Sequence, residues 1–177
     1  MRVDIWSDVV CPFCYIGKKR LEKAATEAGV ELEVHWHSYQ LDPEAPVRQE
    51  VSNSERLAQK YNRTLAEVEE MQRNIAAMAK EEGIEFNWEG ANSGNTFNAH
   101  RLIHLAQSKG LGSEAKEAFF FSYMTQGLAI GERETIEDVA SRIGLNPVEV
   151  DDLLESDAYA DFVKFDEEVA REQLQVT

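Results

Sequence analysis

Only two cysteines occur among the 177 residues, and they stand three apart in Cys11-Pro12-Phe13-Cys14. That scarcity excludes a disulfide-stapled scaffold and a four-cysteine metal site. Basic residues are also few: 18 Lys and Arg face 33 Asp and Glu, giving a formal charge of −15. Such a surface repels a duplex and an anionic membrane, so the reading is no nucleic acid and no membrane as partner, with the acidity serving solubility. Long apolar runs are missing as well; the longest strongly apolar stretch is Ala118-Phe119-Phe120-Phe121, far short of a bilayer span. The opening carries Asp4 and Asp8 where a signal peptide needs an apolar core, which points to a cytoplasmic protein. There is no Gly-rich phosphate loop, no Gly-x-Ser-x-Gly elbow, no paired-carboxylate motif, no fixed-period repeat and no low-complexity linker.

What is present is ordinary globular material, 43% hydrophobic and 29% charged with 10 Gly and 4 Pro. A chain of this length buries about 70% of its unfolded surface, enough for one core without a staple. Arg2 to Trp6 alternates and is β-prone, so it reads as a strand. Tyr15 to Ala28 reads as a helix stopped by Gly29, and Val30 to Trp36 as a second strand, so the pair is parallel. Leu41 to Val51 holds two prolines and reads as a loop, after which the chain turns helical. Thr64-Leu65-Ala66-Glu67 has the form of a capping box, and Leu65, Val68, Met71, Ile75 and Met78 then recur at helical spacing up to Gly83. Glu85-Phe86-Asn87 is strand-like. Asn95 or Thr96 caps a helix to Lys109, and Ser113 opens another bearing Phe119, Phe120, Tyr123 and Met124. Thr135 starts a short helix, Asn146-Pro147 a further one, and a last helix opens near Ser156 carrying Phe162, Phe165, Val169 and Leu174. The fold class is therefore α/β, with a βαβ half over 1–40 and a mostly helical part over 41–177. Two parallel strands make a poor core alone, so either the helices supply the core or further strands follow Thr177.

The dithiol has a physical logic where it stands. A cysteine at the start of a helix meets unpaired backbone N–H groups and the positive end of the dipole, which favour its thiolate. That thiolate attacks a disulfide, and a second thiol one turn on resolves the mixed disulfide. Cys11 is the candidate nucleophile and Cys14 the resolving thiol. Pro12 fits the first helical turn, where its missing N–H costs nothing, and Phe13 adds neither charge nor donor, so a couple less oxidising than a motif with a cation or donor there is expected. The competing readings are inert buried thiols and half of a zinc site completed by His100 and His104 or by His35 and His37. Neither histidine pair has the usual separation from the cysteines, so no metal is expected. His100 and Arg101 follow Asn95-Thr96 at a helix start; they read either as a groove facing the dithiol, with Arg101 holding a carboxylate, or as capping residues and surface charge. The rings of Phe119, Phe120, Phe121 and Tyr123 spread too widely for one helix face, which leaves one of them for the groove or for a homodimer interface.

The stretch from Asp4 to Gly17 (Asp-Ile-Trp-Ser-Asp-Val-Val-Cys-Pro-Phe-Cys-Tyr-Ile-Gly) resembles the opening of the FrnE-like branch of the DsbA family. Asn95-Thr96-Phe97-Asn98-Ala99-His100-Arg101-Leu102 resembles a second segment of that branch. The resemblance implies a thioredoxin-like fold with a large inserted helical domain, and thiol–disulfide oxidoreductase chemistry at Cys11 and Cys14. It also implies a closing ββα half with a cis-proline loop, of which Gln175-Val176-Thr177 stops just short. Related proteins are 2-hydroxychromene-2-carboxylate isomerases, with serine in place of the first cysteine. The function expected is thus reduction or exchange of protein or small-molecule disulfides, with no bound cofactor and glutathione as a candidate co-substrate. The alternatives are a glutathione-dependent isomerase of an aromatic or polyketide-like compound, and a non-catalytic binding or chaperone-like module. Trp6, Ser7, Asn95, Thr96, His100 and Arg101 are the candidate lining of a substrate or glutathione groove.

Overall fold

The computed structural model describes residues 1–175; Val176 and Thr177, on the expected approach to a closing half, lie outside the described residues. The elements run β1 (Arg2–Ser7), α1 (Pro12–Ala28), β2 (Glu33–Ser38), α2 (Asn53–Tyr61), α3 (Leu65–Glu81), α4 (Phe97–Gln107), α5 (Gly112–Met124), α6 (Arg133–Arg142), α7 (Pro147–Leu154) and α8 (Ala160–Glu172). The strands pair in parallel from Arg2 opposite Glu33 to Ser7 opposite Ser38. No helix among the described residues is long and apolar enough to cross a membrane.

Local signals account for most element ends. Ser52 and Thr64 each form a complete capping box, with Glu55 and Glu67 respectively, and Asn146 accepts from the Val148 amide at 3.0 Å behind Pro147. Two boundaries depart from the sequence reading. Helix α1 starts at Pro12 rather than Tyr15, which puts Cys11 at its cap and Cys14 in its first turn. Strand β2 starts at Glu33 rather than Val30, because Gly29 in the left-handed region (φ 65°) turns the chain and the Val30 amide still bonds back to Ala25 O at 2.9 Å. The strand-like trio Glu85-Phe86-Asn87 is irregular chain, anchored where the Asn87 amide donates to Met124 O at 2.7 Å.

The core is helical in substance. Phe119, Phe120, Leu102, Ile130, Ile136 and Val139 are buried completely, and Trp36, Ile16 and Val9 join the same cluster from the βαβ segment. Each such side chain contributes roughly 1.5–3 kcal/mol. The two-stranded sheet is thus one wall of a helical core.

Helix α8 corrects a further expectation. It opens at Ala160 behind Tyr159, which takes φ 63°, and Phe162 and Phe165, expected in its apolar stripe, are about 60% exposed. The buried stripe is instead Val163, Asp166, Glu167 and Ala170. Its carboxylates close the end of β2: Asp166 accepts from the Ser38 amide at 2.8 Å and from His37 Nδ1 at 2.7 Å, and Glu167 from the Gln40 amide at 3.1 Å. Burial pushes the Asp166 carboxyl up, but the His104 and His37 donors outweigh it and hold it far below the usual range. Trp6 stacks on His37 with centroids 4.2 Å apart and donates from Nε1 to Asp166 O at 3.0 Å.

Candidate active site around the dithiol

Cys11 caps α1 with extended backbone (φ −91°, ψ 110°), and its carbonyl accepts from the Cys14 and Tyr15 amides at 3.1 and 3.3 Å. Both cysteines are free thiols of intermediate exposure. Their environments drive them apart. A hydrogen bond from the Cys14 thiol, helped by the Cys14 and Phe13 amides, lowers the Cys11 pKa against the cost of burial and the nearby Asp8 charge. Cys14 is pushed up by that same shared hydrogen bond and by burial. No acidic side chain occupies the first turn of the helix. A thiol at a helix start with a lowered pKa and a second thiol one turn on are what attack on a disulfide and its resolution require.

Behind the pair lies a buried polar cluster. Asp8, 1% exposed, accepts from the Val9 and Leu41 amides, both at 2.7 Å, and lies 3.2 Å from His100 Nε2. Burial pushes the Asp8 carboxyl up, yet the His100 donor and the Leu41 amide prevail and keep it ionised; burial keeps His100 neutral. Lys116 is fully buried, with Nζ donating to Ser7 O at 2.9 Å and facing the Trp36 and Phe120 rings at 5.4 Å from each centroid. Burial lowers its pKa to about 8, opposed by the charges of Asp8, Cys14 and Cys11. The groups whose negative charge favours the protonated lysine are Asp8 and the two cysteines.

Lys116→Met should therefore separate charge from packing. In a Cys11→Ser background, the pH at which Cys14 becomes alkylatable should rise, and its rate at pH 8 should fall on the order of tenfold. The unfolding midpoint should fall, since the change leaves Ser7 O without its donor and the buried Asp8 without the nearby cation. An unchanged alkylation profile would reduce Lys116 to a structural residue.

Beside Cys11 opens a cavity of about 200 Å³, walled by apolar side chains of Val10, Leu57, Met71, Ile75 and Phe86, with Pro12 and Phe13 at the dithiol end. Phe13 is 58% exposed, on the approach to Cys11. Among the rings of α5, Tyr123 lines the cavity, Phe119 and Phe120 are core, and Phe121 is exposed.

The groove residues expected from sequence divide. Thr96 lines the cavity. Asn95 instead builds the wall, accepting from the Phe97 amide at 2.9 Å and donating to Pro43 O at 3.0 Å. His100 sits beneath the site through Asp8, and Ser7 contributes only its carbonyl, to Lys116. Trp6 is turned to His37 and Asp166. Arg101 does not line the cavity: its guanidinium is buried and donates to the carbonyls of Ala158, Leu153 and Ser156 at the bend between α7 and α8, where helix-end carbonyls lack intrahelical donors. Sequence reasoning missed Lys116, Asp8 as a buried charge, and Arg56. Lys116 carried a signal: it stands three and four residues before Phe119 and Phe120, a charge on an apolar helical face. Among the described residues no group of three or more His, Cys, Asp or Glu gathers as metal ligands.

The family description DSBA-like thioredoxin domain matches residues 2–177. A probable DsbA oxidoreductase from Streptomyces coelicolor superposes with a TM-score of 0.91 at 33% identity, over 99% of this chain and 76% of that one. The Bacillus subtilis (strain 168) protein YwbO is 26% identical over 162 residues, 91% of this chain and 75% of its own length. A 2-hydroxychromene-2-carboxylate isomerase shares the fold at 18% identity and a TM-score of 0.69, over 98% of this chain and 81% of that one.

Proposed function

The chain belongs to the DSBA-like thioredoxin domain family, and from that premise we propose that it is a thiol–disulfide oxidoreductase of the FrnE-like type working through Cys11 and Cys14. The observation that carries the reading is geometric: Cys11 caps the start of α1 beside an apolar cavity, and Cys14 stands in the first turn of that helix. In the reducing direction, the Cys11 thiolate attacks one sulfur of a substrate disulfide, forming a mixed disulfide and releasing the other half as a thiolate. Cys14 then loses its proton and attacks Cys11 Sγ; the bound half leaves as a second thiolate and the Cys11–Cys14 bond forms. The dithiol gives up two electrons and the substrate disulfide takes them. Two equivalents of a small thiol such as glutathione restore the dithiol and leave as their own disulfide.

The second thiol favours this reading over glutathione-dependent isomerisation, for which Cys14 has no task. A cytoplasmic, thiol-rich compartment suits a chain whose only two cysteines form a Cys-x-x-Cys pair and staple nothing. The test is reduction of insulin disulfides with glutathione as the reductant. Catalysis well above glutathione alone is expected, with a Cys11–Cys14 disulfide accumulating when glutathione is withheld. A folded protein that does neither would leave a binding module in place of an enzyme.

A further inference from the structure

Four large apolar side chains that the fold leaves exposed, Phe13, Leu41, Tyr61 and Met71, all border the cavity beside Cys11. Apolar groups exposed together at one opening mark a binding surface. Leu57, Ile75 and Phe86 continue the apolar lining from that rim. The charged groups in the same walls are two of each sign, Asp8 and Asp42 with Arg56 and Lys60, and each already has a protein partner. Asp8 accepts from the Val9 and Leu41 amides and lies 3.2 Å from His100 Nε2. Asp42 lies 3.6 Å from Arg56, which also donates to Asn53 Oδ1 at 3.0 Å, and Lys60 donates to Leu41 O at 3.3 Å. A charged group entering this space would leave water and find no free counter-charge, whereas an uncharged ring gains from leaving water.

The shape is preformed. Gly94 takes φ +39°, and a Cβ there would collide with Val47 O. The loop over 93–96 is thereby pressed against the loop over 43–47, which Asn95 also bonds through Pro43 O. A volume of about 200 Å³ is close to the roughly 150 Å³ of an apolar cavity that holds benzene. It takes one ring and a small substituent.

We propose that this cavity selects an uncharged substrate: a low-molecular-weight disulfide whose bound half carries a single apolar ring and no ionised group, the ring lying among Leu57, Met71 and Ile75 with its sulfur at Cys11. The inference rests on the redox reading above and names the substrate class for that site. The exchange is the one already written, with Cys11 attacking the sulfur of the bound half, so it needs no further reactant for one turnover.

The test uses the reduced full chain in single turnover, well below saturation, with the disulfides of four acylated cysteamines. The acyl groups are acetyl, 4-ethylphenylacetyl, 4-aminomethylphenylacetyl and 4-carboxyphenylacetyl, so the thiol is constant and the three rings differ mainly in charge. Each rate is divided by that of free mercaptoethanol with the same compound, which removes intrinsic reactivity. The ethyl compound is expected to exceed the other three about tenfold. The net charge of −15 favours the cation and disfavours the anion, so a deficit of both against the neutral ring reports the cavity wall and not the overall field. Leu57→Trp, which fills the space, should bring the ratio of ethyl to acetyl compound close to one. Met71→Ala at the exposed rim should lower that ratio partway, a second reading if the first variant folds poorly. A charged ring as fast as the neutral one, or an acetyl compound as fast as the ethyl one, with Cys11–Cys14 disulfide formed in each, would overturn the proposal and leave the oxidoreductase intact. Failure of all four to oxidise the dithiol would overturn both.

Discussion

Cys11→Ser is expected to lower disulfide reduction by about three orders of magnitude or more, because the hydroxyl is un-ionised where the thiolate did the attacking. Cys14→Ser should behave differently. It keeps the attacking thiolate and loses the group that releases the product, so a mixed disulfide of Cys11 with one substrate half should accumulate and be visible by mass. The same asymmetry should show without mutation: limiting iodoacetamide at neutral pH should label Cys11 first, since its thiol is lowered and that of Cys14 raised. The pH dependence of that labelling has a definite sign. Reactivity of Cys11 should persist below the range of an ordinary thiol and fall as the pH drops through its lowered value. Dominant labelling of Cys14, or trapping by Cys11→Ser in place of Cys14→Ser, would reverse the roles.

Arg101→Met is expected to cost about 3–5 kcal/mol, among the largest effects any single change away from the dithiol should have. Arg101 is 4% exposed; its Nε donates to Ala158 O at 2.8 Å, Nη1 to Asn98 Oδ1 at 2.9 Å, and Nη2 to the carbonyls of Leu153 and Ser156. The methionine fills the volume but leaves the Ala158 and Ser156 carbonyls at the α7–α8 bend without a donor and takes a charged donor from Leu153 O. In a chain of this size the loss corresponds to a fall of roughly 6–20 °C in Tm. Arg101→Lys should recover little of it, since a point charge cannot serve three acceptors that a planar fork spans. A Tm within about 2 °C of the parent for either variant would show that water satisfies the bend.

Arg101 also illustrates what the sequence could and could not convey. Next to His100 in a motif-like segment, it read as a groove residue or a surface charge, because its true partners sit 52 to 57 residues away. Signals that act within one turn were legible: the Thr64–Glu67 capping box, Asn146 before Pro147, Gly29 past the first helix, and the dithiol at a helix start. Those that act across the fold were not. Phe162 and Phe165 follow a helical period as well as any core pair, yet the helix turns Asp166 and Glu167 inward because the end of β2 offers amides that need acceptors. The pocket was equally hidden, since Arg56, Ser93 and Cys11 meet only after α2 and the loop over 93–96 have folded across the βαβ unit.

The carboxylate of Asp166 has a consequence for how the protein is made. Its bonds to Ser38 and His37 span 128 and 129 residues, so the second strand emerges from the ribosome long before the helix that completes its hydrogen bonds. At 5–20 residues per second the interval is about 6–25 s. Throughout it the pair of strands lacks its α8 wall, and for about the first half of it the dithiol also lacks the α4 histidine and the α5 lysine that later surround it. The vulnerable moment for premature oxidation of Cys11 and Cys14 is therefore during synthesis, and a nascent chain stalled before residue 160 should form the Cys11–Cys14 disulfide, or disulfides with other chains, more readily than the finished fold.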